Sequence, residues 1–140
     1  MKPRITVITL GVDDFERALR FYRDGLGLPT KGIIGTEFEH GAVAFFDLER
    51  GLKLAIWHRK SIVHEAKVPL GPRSATACTL GHNVASKAEV DAVMAQVEKV
   101  GATITDQAHD AFWGWLLRFV PGPRWACVAV VWNPDWELPE

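Results

Sequence analysis

The feature that most limits what this chain can become is a repeat. Val12 and Val84 stand 72 positions apart, and so do Asp14 and Ser86, which open the two amphipathic stretches that follow those valines. Each copy reads as a strand, a helix and then three short strands. A four-stranded sheet with a helix on one side buries only that side, so two such units need something shared against their second faces. The duplication therefore predicts an α+β fold in which two βαβββ modules form curved mixed sheets around a cleft.

Each segment has a local reason to take its place in that plan. Ile5 to Leu10 mixes β-branched and apolar residues, which favours a strand ending at Gly11-Val12. Asp14 offers a carboxylate to the free amides of a helix whose apolar positions Phe15, Ala18, Leu19 and Tyr22 recur at helical spacing. Gly25 and Gly27 can take the left-handed cap at its end. Strands are expected over 32–38, 41–47 and 52–57, with Glu49-Arg50-Gly51 as a hairpin turn. From Ser61 to Arg73 the periodicity vanishes, and Pro69 and Pro72 mark a connector.

The pattern then restarts. Ala77 to Leu80 reads as a strand, and Ser86 with Glu89 three places on forms a capping box before the stripe Val90, Val93, Met94 and Val97, closed by Gly101. Strands over 103–105, 115–120 and 127–132 complete the second copy, the middle one expected to be disrupted or at an edge because of Pro121 and Pro123. The expected organisation is a single domain over 1–140, with module one at about 4–60, a connector at about 61–74 and module two at about 75–136.

Charge and composition exclude several function classes. Sixteen basic against seventeen acidic residues leave a net charge of -1, without the surplus that drives nucleic-acid binding. Cys78 and Cys127 form no CxxC pair and are too few for a disulfide framework or zinc cluster, so a reducing cytoplasm is expected. The apolar stretch near the N-terminus is too short for a signal peptide or a membrane span. Neither nucleic acid nor membrane is an expected partner.

Histidines at 40, 58, 64, 82 and 109 lack the spacings of known zinc motifs. His82, just after the second module's first strand, is a candidate polar group for the cleft, with a structural histidine as the alternative. His64-Glu65 and His109-Asp110 fall in expected loops and read as solvated. Ser61, His64 and Glu65 are sequence neighbours without a nucleophile elbow, so a hydrolase triad is set aside. No glycine-rich phosphate loop is present. Six tryptophans are many for this length. Phe45, Trp57 and Trp113 are each explained by core packing, or together by an apolar cleft that stacks a flat organic molecule.

Leu10-Gly11-Val12-Asp13-Asp14, Ala18-Leu19-Arg20-Phe21-Tyr22 and Gly25-Leu26-Gly27-Leu28, with Asn83-Val84-Ala85-Ser86, Gly101-Ala102 and Trp132-Asn133-Pro134, resemble the vicinal oxygen chelate superfamily over nearly the whole chain. That superfamily includes glyoxalase I, bleomycin-resistance proteins and extradiol dioxygenases. The resemblance implies a divalent metal held by one His, Gln or Glu from the first strand and one Glu from the last strand of each module. The matching positions here are Val7, Ala55, Thr79 and Ala129, which offer hydrocarbon and one hydroxyl. No metal or other cofactor is therefore expected. The expected role is binding or sequestering a small hydrophobic or aromatic molecule, by a homodimer as in many relatives, with metal-free acid/base catalysis through His82 or a restored C-terminal Glu as a lesser reading. A divalent-metal lyase or dioxygenase of the same superfamily is the alternative.

One segment departs from the resemblance. Where relatives carry Asp-Pro-Asp-Gly-His before the last strand, this chain has Gly122-Pro123-Arg124-Trp125-Ala126. Permitted codons for Gly114 to Val128, read one base later, encode Ala-Gly-Tyr-Ser-Gly-Ser-Phe-Arg-Asp-Pro-Asp-Gly-His-Val. The expectation is a compensated frameshift over 114–129, in the gene or in its reading. A glutamate in place of Ala129 would follow, and it would still face Val7, Ala55 and Thr79 without a second ligand.

Overall fold

The computed structural model describes residues 2–74, 78–99, 101, 104, 109–110, 116–121, 127–136 and 138. It divides into two compact units, Met1–Pro72 and Arg73–Glu140. The first unit contains β1 (Val7–Val12), α1 (Phe15–Arg20), β2 (Thr30–Ile34), β3 (Val43–Asp47), β4 (Lys53–His58) and α2 (Arg59–Ala66). The second contains β5 (Thr79–Val84), α3 (Lys87–Lys99), β6 (His109–Asp110), β7 (Leu116–Pro121) and β8 (Cys127–Trp132). Both sheets are mixed and share one topology, β1-β4-β3-β2 in the first and β5-β8-β7-β6 in the second. The first and last strands of each module pair in parallel over six residues, Val7↔Lys53 to Val12↔His58 and Thr79↔Cys127 to Val84↔Trp132. The expected βαβββ order thus holds in both copies, and β1 and β5 begin and end 72 residues apart.

The helix termini follow from their capping residues. Asp14 accepts the amide of Arg17 at 3.0 Å, and the apolar stripe Phe15, Ala18, Leu19 and Tyr22 is buried. α1 then widens into a π-turn over Phe21–Gly25, in which Leu26 donates to the Phe21 carbonyl, and Gly27 at φ +71° turns the chain away. At α3 the Glu89 amide donates to Ser86 Oγ at 3.2 Å, while the Glu89 carboxylate accepts the amide of Ala85 at 3.0 Å, one residue before the cap. Val90, Met94 and Val97 are the buried stripe, and Val93 is half-buried. The cores are local to each unit. In the first, Leu10, Val12, Leu54, Ile56, Ala44 and Phe46 lie under α1, with the Tyr22 and Phe46 rings 5.6 Å apart.

Four segments differ from expectation, one of them His109–Asp110, expected in a loop, which forms the short strand β6 paired with β7. The stretch from Ser61, read as a structureless connector, carries α2, whose weak amphipathic pattern hid it; it ends at Lys67 in the left-handed region. The second strand starts at Thr30 and stops at Ile34, because Gly32 at φ +85° forms a bulge and Gly35 at φ +75° turns the chain into a tight loop. β7 lies inside its sheet, between β8 and β6. Pro121 is its last residue, where a missing donor costs least, and β6 pairs only with Leu116 and Leu117, so the remainder of β7 has no second neighbour among the described residues. Pro123 lies outside the described residues, as do most of 103–105 and 111–115.

Candidate functional site

Side chains alternate across a strand, so the register sorts every candidate residue onto a face. In the first sheet Leu10, Leu54, Ile56, Ala44 and Phe46 share the face beneath α1. The opposite face carries Val7, Thr9 and Gly11 of β1, Lys53, Ala55 and Trp57 of β4, and Val43, Phe45 and Asp47 of β3. Thr9, Ala55 and Phe45 lie level in one row. Ala55 is 1% exposed and Val7 41% exposed, while Phe45 and Trp57 are half-buried. Val7, Ala55, Phe45 and Trp57 are thus brought to one face of one sheet. At one end of this face Asp47 pairs with Lys53, whose hydrogen bond and then whose charge hold the carboxyl below the usual carboxylate range.

The other end of the face is closed by α2. A Cβ on Gly11 would meet Arg59 Cγ at 2.9 Å and Ile62 Cδ1 at 3.2 Å, so only glycine lets the helix lie this close. Arg59 is held by Asp13 at 3.4 Å and by the carbonyls of Gly71 and Pro72, which fastens the chain beyond α2 to its start. Trp57 Nε1 donates to the His40 carbonyl at 2.7 Å. The His40 ring stacks on His64 of α2, with centroids 4.1 Å apart and planes at 25°, and His40 Nδ1 lies 3.4 Å from Ser61 Oγ. Ser61 is buried, His40 half-buried and His64 exposed.

This cluster escaped the sequence. His40 and His64 meet only because the loop after β2 and a helix hidden by its weak periodicity reach the same end of one sheet face. Spacing carries no trace of that encounter.

In the second sheet Thr79 is exposed, Ala129 is buried opposite Gly81, and register sets the two on one face. His82 is a correction. It lies within β5, level with Val130, on the face that carries the buried Val84, Val128 and Val130, and therefore opposite to Thr79 and Ala129. Residues three apart in a continuous strand point to opposite sides, so His82 cannot share a face with Thr79. Trp113 lies outside the described residues. Among the described residues no three His, Cys, Asp or Glu side chains gather where they could hold a metal ion.

A family model for the glyoxalase/bleomycin resistance protein/dioxygenase superfamily matches residues 4–123. The chain belongs to that superfamily. Among solved structures it resembles a glyoxalase-related enzyme from Fulvimarina pelagi, with 26% identity and a TM-score of 0.82 over 98% of this chain and 93% of the other. A glyoxalase/bleomycin resistance protein/dioxygenase from Nocardioides matches at 22% identity and TM-score 0.79, covering 100% and 89%. A lactoylglutathione lyase from Agrobacterium tumefaciens matches at 20% identity and TM-score 0.71, covering 99% and 100%. No curated protein matches the sequence. The superfamily's divalent metal does not fit the residues at its expected positions. Val7, Ala55 and Ala129 have no donor atom on the side chain, and Thr79 has only a neutral hydroxyl. Among the described residues no helix is long and apolar enough to cross a membrane.

Proposed function

We propose that this superfamily member binds a small hydrophobic or aromatic molecule over the row Thr9, Ala55 and Phe45, with Trp57 at one side, and that it does so without a metal at the superfamily's position. The observation that carries the reading is the donor set: residues at the expected ligand positions offer hydrocarbon where a cation needs carboxylate or imidazole. Covering roughly 150 Å² of aromatic surface is worth about 4 kcal/mol before the costs of association, so the hydrophobic contact needs further contacts beside it to give measurable affinity. The reading extends to the two modules acting as one domain in a cytoplasmic homodimer, with Thr79 and Ala129 as the second module's counterparts of Val7 and Ala55. Sequestration, not turnover, is the role, and no residue is assigned a catalytic step.

The test is elemental analysis of the purified protein together with thermal unfolding with and without a chelator, then calorimetric titration with a neutral aromatic probe, 2-naphthamide. Absence of stoichiometric metal, an unchanged Tm and saturable probe binding weakened by Phe45→Ala are the expected results. Stoichiometric Mn, Fe, Zn or Ni whose removal lowers Tm would replace this reading with the metal-dependent lyase or dioxygenase alternative.

A further inference from the structure

We infer that His40, His64 and Ser61 form the hydrogen-bonding end of this ligand site, and that the molecule taken there is an aromatic acid whose carboxylate the two imidazoles bind. The inference rests on the apolar-face reading and adds the ligand's chemical class.

The apolar floor and the histidine pair belong to one end of one surface. Trp57 shares its face with Ala55 and Phe45, and its indole N–H holds the His40 backbone at 2.7 Å. α2 lies on that same face, over Gly11. A flat molecule resting on Phe45 and extending toward Trp57 therefore runs toward the end of the sheet where α2 and the His40 loop lie.

The pair is built for an anion and not for a chelated cation. Rings stacked at 4.1 Å with planes at 25° hold their nitrogens in two nearly parallel layers, so an ion at about 2 Å from a nitrogen of each ring would lie out of both ring planes, away from their lone pairs. Two protonated rings side by side repel one another unless a negative charge lies between their N–H edges. A carboxylate lying between the two rings can accept an N–H from each. Ser61 steadies the arrangement. Its buried hydroxyl can accept from a protonated His40 Nδ1, which leaves His40 Nε2 and the exposed His64 ring for the ligand.

The other charged groups of these segments are Glu37 and Glu39 on the loop, Lys60 and Glu65 on α2, and Lys67 just after it, all exposed to screening by water. Arg59 is directed to Asp13 and to the Gly71 and Pro72 carbonyls. His58 stacks on Phe15, on the face beneath α1.

Calorimetric titration of the full chain with 2-naphthoate and with its neutral isostere 2-naphthamide tests the inference. The acid should bind about tenfold more tightly than the amide. His64→Gln should abolish the preference for the acid over the amide. Equal affinities for the two probes, or a preference that survives both His64→Gln and His40→Gln, overturns the histidine subsite alone. Failure of both probes to bind overturns the apolar-face reading and this inference with it.

Discussion

The Lys87 ammonium lies 5.2 Å from the centroid of the Trp132 ring. The first residue of α3 thus reaches over the last residue of β8. In the first unit the same two places are taken by Phe15, the first residue of α1, and His58, the last of β4, whose rings lie 5.1 Å apart. The repeat conserves a contact between helix start and strand end while exchanging an aromatic pair for a cation over an aromatic ring.

These equivalent places should differ sharply in what they contribute. Phe15 is 6% exposed and packs in the core, so Phe15→Ala should cost about 3 kcal/mol or more. Lys87 is exposed, and Lys87→Ala should cost less than about 1 kcal/mol. Urea unfolding of the two variants checks the difference, and equal losses would contradict it.

The loop that delivers His40 depends on two glycines. A Cβ on Gly35 would stand 2.4 Å from the Gly41 carbonyl oxygen, at a φ of +75° that side chains rarely adopt. Gly35→Ala should therefore destabilise by about 2 kcal/mol or more, since neither backbone can yield cheaply. It should also part the His40 and His64 rings, visible as changed imidazole chemical shifts in NMR spectra. A variant of unaltered stability with unchanged histidine signals would show that the loop is not so constrained.

At the far end of the same face, Lys53 holds the Asp47 carboxyl below its ordinary value, first through a hydrogen bond and then through charge. A carboxylate with a depressed folded pKa contributes stability that is fully present above its unfolded value and is lost as pH falls through the folded one. Carbon-detected NMR titration should place the Asp47 midpoint below the usual carboxylate range, and Lys53→Met should return it. Both groups are exposed, so the effect should shrink in high salt.

The family model's match ends at residue 123, although β8 follows as the strand equivalent to β4. Codons permitted for Gly114 to Val128, read one base later, would encode Asp-Pro-Asp-Gly-His in this stretch, so a compensated frameshift is expected here. Compensating single-base changes should therefore flank this stretch in the gene or its reading. Tryptic digestion of the natural protein should lack the peptide Phe119 to Arg124, and recovering that peptide's mass would establish the printed residues.

Much of each module was legible because the signals are periodic or lie next to one another in the chain. Asp14 and Ser86 cap helices through amides three residues on, and Phe15, Ala18, Leu19 and Tyr22 mark a buried face by their spacing alone. The 72-residue repeat then dictates two matching sheets, and the residue types at Val7, Ala55, Thr79 and Ala129 speak against a chelated metal without any coordinates. The face of His82 was not legible, because the sequence pattern ends the strand at Leu80, whereas β5 continues to Val84.

Tertiary structure alone decided what stands beside Trp57. α2 has too weak an apolar pattern to announce itself, and its place over Gly11 depends on a missing side chain on another strand. The stacking of His40 on His64, with Ser61 behind, joins a loop to a helix across an intervening hairpin. Local propensity has no term for such an encounter, because the register of β1, β3 and β4 must first set which side each residue faces.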